Sequence, residues 1–176
     1  MGLFIKLVKY FTNSVKLYIL AMEITEIRTG SKKEVEITAL VRDDIKRLPK
    51  SRYSFDWSKV DKKGIIFILS ESGNGDIFGA IAILKFPDEF RYEIKLLAVS
   101  RENVGRTKMY EGVAGCLIAY SCKECLKENG ELACVSLVPK TKLKPYYIKK
   151  YGMEAAGRQI FLADLALLKI INTYYL

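Results

Sequence analysis

Residues 93–118 hold the side chains best placed to do chemistry. An apolar strand ends at Leu97-Ala98-Val99, a polar stretch carries Arg106 and Lys108, and a helix opens at Gly112, Ala114 and Gly115. The first N–H groups of a helix have no intrahelical partner and carry partial positive charge, so a helix start binds phosphate. Small residues let the backbone approach that phosphate closely. Arg106 and Lys108 add formal charge at the same place. A small-residue helix start also suits tight packing on a sheet, and spacing alone leaves both readings open.

Other chemistries can be set aside. A Walker loop needs GxxxxGK followed by Ser or Thr, and the sequence has none. A Rossmann fingerprint needs GxGxxG after the first strand, where Gly30-Ser31-Lys32 stands instead. The chain has no His, which removes Ser-His-Asp catalysis and His-bound metal. A general base must then be a carboxylate, a Tyr, a Lys or a water. Cys122 and Cys125 form a CxxC, but Cys116 and Cys134 do not complete a zinc spacing, so no metal site is expected. The four read as free thiols, mostly buried, in a reducing cytoplasm.

The strand, loop and helix together resemble motif A of the GNAT superfamily of N-acetyltransferases. The strand ends Leu97-Ala98-Val99, the loop motif falls on Met109-Tyr110-Glu111-Gly112-Val113-Ala114, and Leu117 follows in register. The resemblance covers about residues 22–163. The run KMYEGVAGCLIAYSCK, with the later GRQ and a closing helix, is similar to a little-characterised bacterial branch. Two features depart from the pattern. Met109 stands where the family carries Gln or Arg, so Lys108 or Arg106 would substitute, and the loop from Val99 to Gly112 is several residues long.

The resemblance implies acetyl-CoA as co-substrate, with pantetheine lying where two central strands splay. It assigns Leu97, Ala98, Val99, Lys108, Tyr110, Gly112, Val113 and Ala114 to the cofactor. An N–H of the strand would polarise the thioester carbonyl. A lysine-type amine has a pKa of about 10.4, so attack needs a base, direct or through water. Glu93 is the candidate, in a Glu93-Ile94-Lys95-Leu96-Leu97-Ala98-Val99 context. It lies six residues before Val99, on the same expected face, where burial would raise its pKa. Pairing with Lys95 or Arg91 on an exposed strand is the plainer reading. Tyr147 is the candidate acid for the leaving thiolate, although the family's tyrosine falls four residues before the glycine, here at Ile148. Tyr147 also reads as a core residue.

These residues need elements to position them. Residues 22–29 alternate as a half-buried strand. Ser31, with Glu34 three residues on, reads as the cap of a helix whose apolar side is Val35, Ile37, Leu40, Val41, Ile45 and Leu48, ending at Pro49. A short second helix follows within 50–62 around Phe55 and Trp57. Runs 64–70 and 76–85 flank Ser72-Gly73-Asn74-Gly75 as a hairpin, and 90–99 adds a third strand. A helix spans 112–129, stopped by Gly130. Then come a strand at 132–138, a helix from Thr141 to Tyr151, a strand at 157–163 and a helix from Asp164 to the end. The order is β-α-α-β-β-β-α-β-α-β-α. The expected class is α+β, the GNAT-like acyl-CoA N-acyltransferase fold, with a mixed, mostly antiparallel sheet flanked by helices over one domain, 22–176.

The chain has 176 residues, half of them apolar, enough for one core and too apolar for disorder. Its 29 Lys and Arg against 20 Asp and Glu give a net charge of +9, which favours anionic partners or serves solubility. Residues 1–21 form a separate segment. Phe4, Leu7, Val8, Phe11, Val15, Tyr18 and Ile19 share a helical face, but lysines interrupt any run of the ~20 apolar residues a bilayer span needs. It reads as a basic amphipathic helix that could lie on a membrane, pack on the domain or stem from an upstream start. The partners left open are a small-molecule or protein amine, nucleic acid, a membrane surface and a second copy in a homodimer. The rival functions are a non-catalytic acyl-CoA-binding module and an acetyltransferase acting on aminoacyl-tRNA.

Overall fold

The structure, a computed structural model, describes residues 21–72 and 75–175. The amphipathic reading of the first segment and the Gly73-Asn74 step of the hairpin turn fall outside them.

Nine strands among the described residues form one curled sheet. They are β1 (Met22–Glu26), β2 (Lys32–Ala39), β3 (Ile65–Glu71), β4 (Ile77–Phe86), β5 (Arg91–Val99), β6 (Tyr110–Glu111), β7 (Cys134–Leu137), β8 (Glu154–Ala156) and β9 (Gln159–Ala163). The order across the sheet is β6-β1-β2-β3-β4-β5-β7-β9-β8. The β5–β7 pair is parallel and every other pair is antiparallel. The helices are α1 (Lys50–Tyr53), α2 (Val113–Asn129), α3 (Lys144–Tyr151) and α4 (Asp164–Tyr174), with short 3-10 turns between. The expected α+β class holds, and among the described residues no helix is long and apolar enough to cross a membrane.

The helix expected from Ser31 is instead β2. Val35 and Ile37 are β-branched and alternate with Glu34 and Glu36, the pattern of a strand with one covered face. Ser31 is already engaged in the preceding turn. Its carbonyl accepts from the Glu26 N–H at 2.9 Å, and its hydroxyl donates to the Glu26 carboxylate at 3.2 Å. That turn closes a β1–β2 hairpin and leaves Ser31 no role as a helix cap. Val41, expected on the apolar face, is exposed. The short second helix shrinks to α1 and a 3-10 turn at Trp57–Lys59. Near the C-terminus the expected last strand is a hairpin, β8 and β9, turning at Gly157.

Two cores lie on opposite faces of the sheet. One gathers α2 and α4 against Ile24, Leu69, Ile81, Ile83, Val135 and Leu162. Helix α2 is buried nearly all round through Cys122, which explains its apolar composition. The other core packs Leu40, Leu48, Tyr53 and Trp57 onto Ile66, Ile68 and Ala80. The Tyr53 hydroxyl donates to the Ile77 carbonyl at 2.9 Å, so its burial leaves no polar group unpaired.

Candidate active site

Strands β5 and β7 run parallel and pair from Arg91 and Cys134 to Ile94 and Leu137, and no further. Beyond that point they part. A cleft of about 600 Å³ fills the gap and reaches the start of α2. The divergence has a local cause on the other side of β5. Ala82 pairs with Leu96 but Ile83 with Ile94, so Lys95 is an extra residue, a β-bulge.

That bulge reverses the faces of β5. Tyr92, Ile94, Leu97 and Val99 belong to the core under α2, whereas Leu96 and Ala98 belong to the opposite core. Glu93, next to Tyr92 and Ile94, therefore shares a face with Leu96 and Ala98. The expectation that spacing puts Glu93 on the face of Val99 is corrected here, because alternation was counted through an unseen bulge. Glu93 is buried, and its carboxylate accepts from Lys95 at 2.8 Å and from Arg91 at 3.3 Å. Burial alone would raise its pKa, but the hydrogen bonds and charges of Lys95 and Arg91 outweigh it and hold the group below its ordinary 4.5. The raised value expected from burial is thus reversed. The Glu93 side chain is not part of the cleft wall.

The start of α2 is built for close approach. Gly112 has φ +99°, a left-handed conformation that favours glycine, and no side chain caps the helix. The N–H groups of Val113, Ala114 and Gly115 therefore have neither an intrahelical partner nor a capping side chain. Gly115 has a different job. Its α-carbon lies against the ring of Tyr174 from α4, with no room for a methyl group.

The long loop before α2 is an ordered device. Asn103 is buried, its amide donates to the Ser100 hydroxyl at 2.9 Å, and its carbonyl accepts the Tyr110 N–H at 3.0 Å. Tyr110 and Glu111 then pair with Glu26 and Thr25 as β6, which fixes Gly112 beside β1. The Tyr110 ring meets Phe78 at 5.0 Å. No periodic signal marks a two-residue strand, so the sequence gives no hint of β6.

Leu97, Ala98, Val99, Lys108, Tyr110, Gly112, Val113, Ala114 and Tyr147 all lie on the cleft wall, and Glu93 and Arg106 do not. The wall also holds residues the sequence did not single out, among them Phe55, Glu111, Lys140, Tyr146 and Lys150. Four lysines (95, 108, 140 and 150) and one carboxylate, Glu111, line it. Glu111 bridges Lys108 and Lys150. Burial would raise its pKa, but those two hydrogen bonds hold it low. Burial would likewise lower Lys150, but hydrogen bonds to Glu111 and Tyr146 keep it charged. Tyr147 packs its ring 5.8 Å from Tyr146 and 5.7 Å from Tyr151, and burial pushes its hydroxyl pKa up. One signal for Lys150 was present: it stands four residues after Tyr146, on the same helical face.

The thiols are unpaired, and Cys116, Cys122 and Cys125 are buried. Burial pushes Cys116 up to about 12 and raises the others, so none is poised as a thiolate nucleophile.

Comparison with known proteins places this architecture. No family model and no curated protein sequence matches the chain. Solved structures do. A spermidine/spermine N-acetyltransferase from Vibrio cholerae superposes with a TM-score of 0.56 at 12% identity, covering 79% of this chain and 96% of that one. An IAA acetyltransferase from Bacillus cereus gives 0.53 at 14% identity, over 70% and 79% of the two chains. A GNAT family acetyltransferase from Elizabethkingia anophelis, with acetyl-CoA bound, gives 0.52 at 15% identity, over 69% and 77%. The chain has the fold of the GNAT acetyltransferases.

Proposed function

We propose that the chain is an acyl-CoA-dependent N-acyltransferase, moving an acetyl group from acetyl-CoA to a primary amine by direct attack. One observation carries this reading: β5 and β7 part over the uncapped start of α2, and the resulting cleft is lined with lysines. A diphosphate fits the exposed N–H groups at Val113 and Ala114, with Lys108 and Lys150 supplying charge. An extended pantetheine arm fits the open backbone edge at Leu97, Ala98 and Val99, which has no strand partner on the β7 side. The acetyl-CoA-bound neighbour from Elizabethkingia anophelis shares this fold and supports the same ligand here.

In the reaction the amine nitrogen attacks the thioester carbon. A C–N bond forms, the C–S bond breaks, the ammonium proton leaves and the thiolate gains one. Tyr147 is the proton donor to sulfur: it lines the cleft, and burial keeps it protonated. Glu93 is the base, acting through water because its side chain stands off the wall. A carboxylate held below 4.5 binds a proton weakly, so Glu93 relays the amine proton to solvent and does not store it.

A second reading is an acyl-CoA-binding module without turnover. The ion pairs that occupy Glu93, and Met109 in place of Gln or Arg, favour it. Thiol release from acetyl-CoA with a panel of amines separates the two. The acyltransferase reading expects amine-dependent release. Tight acetyl-CoA binding without release for any amine would leave the module.

A further inference from the structure

The cleft passes from one face of the sheet to the other. At one end stand the start of α2, Lys108 and Lys150, on the side of the core that holds Leu97 and Val99. At the other end stand Ser54, Phe55, Lys95 and Lys140, on the side of Leu96 and Ala98. Diphosphate binding at the first end leaves the second for the acceptor.

The unpaired charge at that second end is that of Lys140. Lys140 Nζ lies 5.5 Å from the centroid of the Phe55 ring and makes no ion pair among the described residues. Lys95 Nζ is 2.8 Å from the Glu93 carboxylate, itself shared with Arg91. No carboxylate among the described residues lines this end. Glu111, the one acidic residue of the wall, belongs to the other end and is occupied by Lys108 and Lys150. A polyamine entering here would bring ammonium groups against Lys140, and the nearby Glu93 carboxylate is already shared by Lys95 and Arg91. A carboxylate would gain a charge-assisted hydrogen bond from Lys140.

We propose that the acceptor is a small amine that also carries a carboxylate, of the free amino-acid type. Its carboxylate is held by Lys140, its side chain rests on Phe55, and polyamines are refused. This rests on the acyltransferase reading above, and it separates the chain from its fold neighbour named for spermidine and spermine. The chemistry is the same transfer, with the C–N bond formed at the α-amino nitrogen.

The test is acetyl-CoA turnover with free L-amino acids, the corresponding amino-acid amides and spermidine, on wild type and Lys140→Met. At least one free amino acid should be acetylated. Its amide should lose about 10- to 100-fold in kcat/KM, as should the free acid on K140M, the range expected for one hydrogen bond to a charged group. Calorimetric affinity for acetyl-CoA should be the same in both proteins. Preference for spermidine, an amide as good as its acid, or an unchanged K140M would overturn the proposal. So would acetyl-CoA binding with no amino acid turned over, which leaves the cofactor reading standing. Wild-type protein that fails to bind acetyl-CoA removes both.

Discussion

Ile94 and Leu137 are the last residues that β5 and β7 share in register. The strands open beyond this pair, and Lys95, the bulged residue, follows Ile94 directly. The cleft thus begins where the parallel ladder ends, and both of its ends are set by that one point.

The cationic mouth gives a first expectation. Lys108 and Lys150 flank Glu111 beside the start of α2. Replacing either by Met should weaken acetyl-CoA binding about 2- to 5-fold at low salt, the effect of one partly exposed ion pair. The difference should fade near 1 M salt, where screening acts over about 3 Å. Titrations at two ionic strengths check this.

Tyr147 gives a second. Tyr147→Phe removes the hydroxyl and keeps the ring contacts with Tyr146 and Tyr151. Turnover should fall by about 10²-fold if Tyr147 is the acid. Acetyl-CoA affinity should not change. The acid must be protonated and its pKa is raised, so the alkaline loss of kcat in wild type should come above the ordinary tyrosine value of about 10. A pH profile of kcat for both proteins is the measurement.

Glu93 gives a third, on two readouts. As base, Glu93→Gln should lower turnover more than cofactor affinity, and equal rates would remove Glu93 from the mechanism. As a structural group its folded pKa lies below the unfolded one. Its contribution to stability is therefore complete above the ordinary 4.5 and is lost as pH falls through the lowered value. Thermal melts between neutral and acid pH should show wild type losing stability faster than E93Q as the pH drops.

Gly115 gives a fourth. With the Tyr174 ring against its α-carbon, Gly115→Ala should overpack the α2–α4 contact and cost about 1–3 kcal/mol. Gly115→Ala with Tyr174→Ala should recover part of that loss. Chemical denaturation of the single and double variants checks the coupling.

The legible part of the sequence was the part with strong periodicity. Strands β3, β4 and β5, and helix α2, follow from long apolar runs broken by turn residues. The cleft wall at Leu97–Val99 and Gly112–Ala114 was implied by the resemblance to motif A, since the spacing of strand end and helix start alone left two readings open. Residues 32–39 failed because Ser31 and Glu34 form a capping signal by composition, while a local turn in which Glu26 captures Ser31 closes a hairpin that the capping signal masks. The face of Glu93 failed because one bulged residue at Lys95 inverts the count and leaves no mark in composition. Lys140 and Phe55 lie 85 positions apart, and only the fold brings them to one end of one cleft.

The central claim is that backbone amides at the start of α2 grip the diphosphate of a CoA thioester. Ala114→Glu tests it most directly. A first-turn carboxylate favours the helix itself by about 0.3–1 kcal/mol, which offsets part of the cost of a larger side chain at half-buried Ala114, and it sets a negative charge where the proposed diphosphate would sit. Calorimetry should show acetyl-CoA binding to wild type and affinity reduced about 10-fold or more in A114E, with a cooperative melt kept. Equal affinity in the two proteins, or a wild type indifferent to acetyl-CoA, would contradict the account.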